Sequence, residues 1–127
     1  MLLPKVRTST ESGVKVLALR GEFTGGDETD QLRNALAEES EGGTMSMLID
    51  LEDATYLNST ALGVLIAAHT SFTKRGAHLG LCNVSKNIEN LFVITKLVLV
   101  FNVYGSRQEG LGSAEIRLPR TLGGASE

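Results

Sequence analysis

The feature that most constrains the fold is an alternation of strand-like and helix-like segments along the 127 residues. Runs rich in strand formers, such as Val14–Leu19 and Met45–Leu51, alternate with amphipathic segments of helical period, such as Asp27–Glu38. The order that results is β-β-α-β-α-β-α-β-α. Strands joined by helices lie parallel, with right-handed crossovers. The sequence therefore predicts one α/β domain with a mixed, mostly parallel sheet of four to five strands and helices packed on it.

The same periodicity predicts where the other elements lie. A weak strand at Lys5–Ser9 is expected to form a hairpin with Val14–Leu19 across Ser12-Gly13. The further predicted elements are a helix that ends near Gly76, a strand His78–Val84, a helix Lys86–Thr95, a strand Leu97–Tyr104 and a short helix Ser106–Ala114. The domain is expected to span residues 1–114, and residues 115–127 are expected to form a flexible tail because they show no regular period.

Composition argues against several classes of partner. Twelve Lys and Arg against fifteen Asp and Glu leave a net charge of −3, so no general attraction to nucleic acid is expected. Neither the amino-terminal residues nor the apolar run Leu91–Phe101 resembles an export signal or a membrane span. The single cysteine, Cys82, lies in an apolar run and is interpreted as an inert buried thiol. We expect a cytoplasmic protein with no direct membrane insertion.

No set of residues suggests catalysis. The sequence has no Gly-Lys-Ser/Thr phosphate-binding loop, and Ser59 lacks the flanking glycines of a nucleophile elbow. The histidines, His69 and His78, are interpreted as structural. Asp50 is placed in the strand Met45–Leu51, and Glu52 and Asp53 in a polar loop over Glu52–Thr55, so a magnesium site at these three carboxylates is not favoured. No metal, cofactor or catalytic site is predicted, and the chain is not expected to be an enzyme.

Two loops are predicted at the carboxyl ends of strands, where ligands and partners of such sheets usually bind. They are Glu22–Asp27 and Asp53–Thr60. The second loop leads through Asn58-Ser59-Thr60 into a helix, whose unpaired backbone N–H groups and dipole favour an anion. Asn, Ser and Thr are also the preferred N-cap residues, so capping alone is a sufficient explanation for this triplet.

A longer pattern resembles a known family. The string LIDL at residues 48–51, followed by YLNSTALGVL at residues 56–65, resembles the STAS domain family, specifically anti-sigma factor antagonists of the SpoIIAA/RsbV type. The resemblance covers about Val6–Ala114, and Gly21-Glu22 resembles the start of the family's G-E-h-D motif, where h is apolar, although Thr24 stands in place of its Asp. This chain has Asn58 and Ala61 where the family pattern has Asp and Gly.

The resemblance implies a function for the start of the second helix. Ser59 corresponds to the serine that is phosphorylated by an anti-sigma factor, itself a serine kinase of the histidine-kinase-like ATPase fold. The unphosphorylated antagonist binds that kinase and frees a sigma factor, phosphorylation ends the binding, and a metal-dependent serine phosphatase reverses it. The partner-binding residues so implied are Glu22, Thr24, Asn58, Ser59, Thr60, Leu62 and Gly63.

Two other classes of function stay open. The neutral Asn58 favours a constitutive STAS scaffold, or an accessory subunit of a transporter or of a stress-signalling complex, that is never phosphorylated. A small enzyme or nucleotide-binding protein is the third class, since α/β sheets host many activities. The identity of the partner would discriminate between the first two, and nucleotide binding by the isolated protein would indicate the third.

Overall fold

The computed structural model describes residues 4–97 and 100–120, with side chains as far as residue 113. The elements are β1 Val6–Glu11, β2 Val14–Phe23, α1 Asp27–Glu41, β3 Ser46–Leu57, α2 Ser59–Lys74, β4 His78–Cys82, α3 Lys86–Ile94, β5 Asn102–Tyr104 and α4 Arg107–Arg120. The strands form one sheet in the order β1-β2-β3-β4-β5, with β1 antiparallel and the rest parallel. The predicted α/β class and mixed sheet are confirmed. None of the described helices is long and apolar enough to cross a membrane.

The predicted hairpin is present between β1 and β2. Its two loop residues, Ser12 and Gly13, have φ angles of +53° and +79°, and Glu11 pairs with Val14 on either side of them. Two consecutive left-handed residues twist the backbone in the sense that two antiparallel strands require. The local sequence is therefore sufficient to place this turn.

The predicted polar loop at Glu52–Thr55 is wrong, because β3 continues through it to Leu57. Beyond Asp50 this strand pairs with β2 but no longer with β4. Among the described residues, one edge of this half of β3 has no strand partner. Two shifts of register against β2 let Ala54 and Leu57, three positions apart, both be buried between exposed polar residues. Glu22 accordingly lies in β2, not in a loop.

Other boundaries also differ from the predictions. The last strand is confined to Asn102–Tyr104, while residues 98–99 lie outside the described ones. The last helix continues to Arg120, beyond the predicted end at Ala114, and the added residues 115–120 include Glu, Arg and Leu, which are good helix formers. The part of the predicted tail at residues 121–127 lies outside the described chain.

The sheet is covered on both faces. The main core joins the sheet to α1, α2 and α3 through residues such as Leu32, Phe72 and Phe92. A smaller cluster, which includes Leu48, Cys82 and Leu111, joins the opposite face to α4. Cys82 is fully buried, as predicted, and unbridged, and burial raises the pKa of its thiol to about 12, which disfavours the reactive thiolate.

A buried ion pair fixes α4 to the sheet. Asp50 is 3% exposed and accepts hydrogen bonds from the Glu52 N–H at 2.9 Å, Asn83 Nδ2 at 3.0 Å and Arg107 Nε at 2.8 Å. Arg107 also donates to Glu11 in β1. Burial raises the pKa of the Asp50 carboxyl, but these hydrogen bonds outweigh burial and hold the pKa below its usual value.

We predict that Arg107→Met lowers the free energy of unfolding by about 1–3 kcal/mol, because the buried Asp50 carboxylate loses its charged hydrogen-bond donor. The guanidinium of Arg107 is partly exposed, which keeps the loss within this range. Because the pKa of Asp50 is lowered in the folded protein, the loss should be full above about pH 4, the ordinary value for an aspartate, and should shrink as the pH falls from there through the lowered pKa. Urea denaturation at several pH values measures both effects.

Arg33→Met is the matched control. Arg33 pairs with Asp30 at 2.6 Å, but both side chains are at least half exposed. Its removal should change the stability by no more than about 0.5 kcal/mol. Equal losses for the two variants would contradict a special contribution from the buried pair.

Candidate functional site

The site is built where β3 passes into α2. Asn58 has extended backbone angles, and its Oδ1 accepts a hydrogen bond from the Ala61 N–H at 3.0 Å. Its own N–H donates to the Phe23 carbonyl at the end of β2, also at 3.0 Å. Asn58 is therefore the N-cap, as predicted, and it ties the start of α2 to the neighbouring strand.

Ser59 and Thr60 are the first two residues of α2, and both are exposed. Backbone N–H groups in the first turn of a helix have no intrahelical partner, and the helix dipole is positive there. The first turn of α2 contains no acidic residue. The position thus combines two accessible hydroxyl groups with a local environment that favours negative charge.

A second segment, the loop Thr24–Gly26, is held in place by the start of α1. The Glu28 carboxylate accepts hydrogen bonds from the Thr24 N–H at 2.7 Å, the Gly26 N–H at 3.1 Å and the Thr29 hydroxyl at 3.0 Å. The buried Thr29 hydroxyl in turn accepts from the Gly25 N–H at 2.9 Å. Hydrogen bonds to the carboxylate, above all that from the Thr24 N–H, lower the pKa of Glu28 to about 2.

The sequence does not reveal the role of Glu28. The acidic residues of this turn are all explained there by the favourable interaction of negative charge with the N-terminus of a helix. A usable signal was present, since a Glu placed two residues after a glycine N-cap can reach back to the N-cap N–H. Its specific partners depend on how the loop folds back from β2.

The loop and the start of α2 lie close together. Gly25 has a φ angle of +94°, and a Cβ atom placed on it would lie 3.7 Å from Asn58 Nδ2 and from the Thr60 side chain. That distance is ordinary van der Waals contact. The structure therefore brings Thr24, Asn58, Ser59 and Thr60 into one continuous surface.

The remaining residues singled out in the sequence are placed differently. Glu22 is exposed on β2 and pairs in register with Tyr56, which is 51% exposed and was not recognised in the sequence. Gly63 is exposed on α2, whereas Leu62 is only 6% exposed and belongs to the main core. Leu62 supports the surface from beneath rather than contributing its side chain to it.

The histidines take structural positions. His69 packs edge-on against Phe101, with ring centroids 5.3 Å apart, and His78 is buried with Nε2 3.2 Å from the Tyr104 hydroxyl. Within the described part of the chain, no group of three or more His, Cys, Asp or Glu side chains is arranged to hold a metal ion. The chemistry available at this site is that of exposed hydroxyl groups and a shaped surface.

We predict that the Glu28 carboxyl titrates near pH 2 in the folded protein, against an ordinary value of 4.5. A lowered pKa means that the carboxylate stabilises the loop fully above about pH 4.5 and ceases to do so as the pH falls towards 2. NMR titration of the carboxyl carbon and of the Thr24 and Gly26 amides measures this.

The control uses amide hydrogen exchange at neutral pH. Glu28→Ala should speed exchange at Thr24 and Gly26, whereas Glu38→Ala, an exposed carboxylate farther along the same helix, should not. A Glu28 midpoint close to 4.5 would show that these hydrogen bonds do not hold the loop in solution.

Comparison with known proteins gives a consistent result. The family model of the STAS domain matches residues 5–110. The anti-sigma-B factor antagonist of Bacillus subtilis is 32% identical over 80 residues, which is 63% of this chain and 72% of that protein. A Bordetella bronchiseptica protein named as an anti-sigma factor antagonist, BtrV, is 24% identical over 108 residues, 85% of this chain and 92% of that one.

A solved structure shares the fold. A Thermotoga maritima protein named as an anti-sigma factor antagonist superposes with a TM-score of 0.80 at 17% identity, covering 87% of this chain and 94% of that one. The family match spans most of the elements described above, from β1 to the first turn of α4. The chain belongs to the STAS domain family, and the two relatives described above are named as anti-sigma factor antagonists.

Proposed function

We propose that this chain is a non-enzymatic, cytoplasmic anti-sigma factor antagonist whose binding is switched off by phosphorylation of Ser59. Its partner is an anti-sigma factor that is also a serine kinase of the histidine-kinase-like ATPase fold, and binding releases the sigma factor. A metal-dependent serine phosphatase restores the binding form. The observation that carries the proposal is the exposed Ser59 in the first turn of α2, beside the fixed loop Thr24–Gly26.

The fold is expected to survive this modification. A phosphate adds about −1.5 to −2 charges at neutral pH, and a helix N-terminus stabilises such charge. The neutral N-cap Asn58 adds no negative charge beside it, and the first turn of α2 is free of carboxylates. The phosphorylated chain therefore keeps its structure while the surface that it presents to a partner changes.

The partner is expected to sense that change directly. We assign the docking surface to Glu22, Thr24 and the exposed start of α2 from Asn58 to Gly63, supported from beneath by Leu62. A surface complementary to a neutral serine hydroxyl would meet both repulsion and a desolvation cost at a phosphate. The hydrogen bonds that hold Thr24–Gly26 against the start of α1 keep this part of the surface from adapting to that charge.

We predict that an anti-sigma factor of this kinase class, purified from the same organism, transfers labelled phosphate from ATP to the wild-type chain but not to Ser59→Ala. Thr60→Ala is the matched control, since it removes the neighbouring hydroxyl and should keep the label. Radiolabelling and fragmentation mass spectrometry measure the outcome. A label that persists in Ser59→Ala would refute the assignment of this serine.

We predict that Ser59→Asp weakens binding to the same anti-sigma factor at least tenfold, because it introduces a permanent charge where the partner meets a hydroxyl. Ser59→Asn matches the size of Asp without its charge and should bind more tightly than Ser59→Asp. Titration calorimetry gives both affinities. Equal affinities for the two variants, with a transporter or scaffold as the recovered partner, would instead support a constitutive binding subunit.

A further inference from the structure

The two edges of the sheet differ in charge. The β1 edge contains Arg7 and Glu11, and Lys5 lies directly before this strand. The β5 edge consists of Asn102–Tyr104, and the whole segment from residue 97 to residue 104 contains no charged residue. Charged side chains on an edge strand hinder its pairing with a strand of another chain. The β5 edge lacks this protection.

The backbone groups on the outer side of β5 belong to its middle residue, Val103. The Tyr104 carbonyl accepts a hydrogen bond from the Asn83 N–H at 3.3 Å and so points towards β4. Backbone groups of successive residues point to opposite sides of a strand, so the N–H and C=O of Val103 point away from β4. Among the described strands, β5 is the outermost on this side. Val103 therefore offers one donor and one acceptor to a further strand.

The side chain of Val103 lies on the face of the sheet that carries α3. Val103 pairs in register with Leu81 of β4, and Leu81 belongs to the same core cluster as Ile88 and Phe92 of α3. Residues in register on adjacent parallel strands point to the same face. Val103 is nevertheless exposed, because it lies at the edge of the sheet.

Three more exposed aliphatic side chains come from the end of α3 and the turn that follows it. Ile94 is 76% exposed, and Val93 and Val100 are exposed as well. A hydrogen bond of 3.1 Å from the Lys96 N–H to the Val93 carbonyl keeps the start of the turn beside the helix. We call Val93, Ile94, Val100 and Val103 the edge patch. It contains no carboxylate, although the chain has a net charge of −3.

We infer that the β5 edge pairs with the β5 edge of a second copy of this chain, antiparallel about a twofold axis at Val103. Facing residues in an antiparallel pair exchange two N–H···O=C hydrogen bonds. The one donor and one acceptor of Val103 match the same two groups of the other copy, so the contact is self-complementary. Because the edge patch has no carboxylate, two copies with the same net negative charge can meet there without close repulsion.

The dimer is expected to be weak. A stable interface buries about 800 Å² on each partner, whereas the β5 edge offers a single pair of hydrogen bonds and a small aliphatic patch. Self-association should therefore depend on concentration. The edge patch shares no residue with the candidate docking surface around Ser59, so a dimer presents two such surfaces. Two linked surfaces raise the avidity for a partner that has two matching sites.

The first test measures the mass in solution. Over a hundredfold range of concentration, sedimentation of the wild-type chain should show an average mass that rises from one chain towards two. Val103→Lys places a charge at the twofold axis and should keep the chain monomeric throughout. Thr8→Lys is the matched control, since Thr8 is an exposed residue of β1 on the opposite edge, and it should self-associate like the wild type.

The second test examines the register of the pair. Facing residues that exchange hydrogen bonds have Cα atoms about 5.5 Å apart, which lies within the range that a disulfide spans. Val103→Cys should therefore cross-link to its own copy in oxidised glutathione at least tenfold faster than Thr8→Cys does. The native Cys82 is fully buried and should not compete.

A third variant guards against misfolding. Ile94→Ser removes an aliphatic side chain that is largely exposed, so the core should be unaffected, and urea denaturation checks this. It should weaken self-association at least threefold, because apolar area is lost from the contact.

The outcomes that would overturn the inference are distinct. A wild-type chain that stays monomeric at every concentration would overturn the dimer. Equal losses in Val103→Lys and Thr8→Lys, or unchanged association in Ile94→Ser, would overturn the β5 edge as its site. Cross-linking of Val103→Cys no faster than that of Thr8→Cys would overturn the twofold axis at Val103. The inference does not rest on the proposed function, and none of these results bears on the phosphorylation of Ser59.

Discussion

The parallel pairing of β2 with β3 is the constraint on which the site depends. The two strands stay paired to their ends, across two shifts of register, and Phe23 pairs with Leu57 there. The loop after β2 and the helix after β3 consequently start from the same edge of the sheet. The hydrogen bond from the Asn58 N–H to the Phe23 carbonyl joins the start of α2 to the end of β2 at this edge. Two segments far apart in the chain therefore form one surface.

That surface is rigid because its polar groups are used internally. Glu28 and Thr29 engage the backbone N–H groups of the loop after β2, and Asn58 engages the N–H of Ala61. The exposed hydroxyl groups of Ser59 and Thr60 are thereby presented on a fixed framework. On the proposed function, a phosphate added there would change the charge of the surface while the backbone that carries it keeps its structure.

The two faces of the sheet have different roles. On one face, α1 and α2 support the candidate docking surface. On the other face, Arg107 of α4 is bound to the buried Asp50. Asp50 belongs to the LIDL string that helps to identify the family, yet its carboxylate is committed to holding α4 rather than to a partner or a metal ion.

The sequence by itself determined the features that local interactions decide. These are the alternation of strands and helices, the hairpin turn at Ser12-Gly13 and the N-cap at Asn58. Only the tertiary structure decided the extension of β3 through a polar segment, the burial of Leu62 and the ion pair between residues 57 positions apart. Each of these depends on which strand or helix lies alongside, and that contact is absent from any local stretch of sequence.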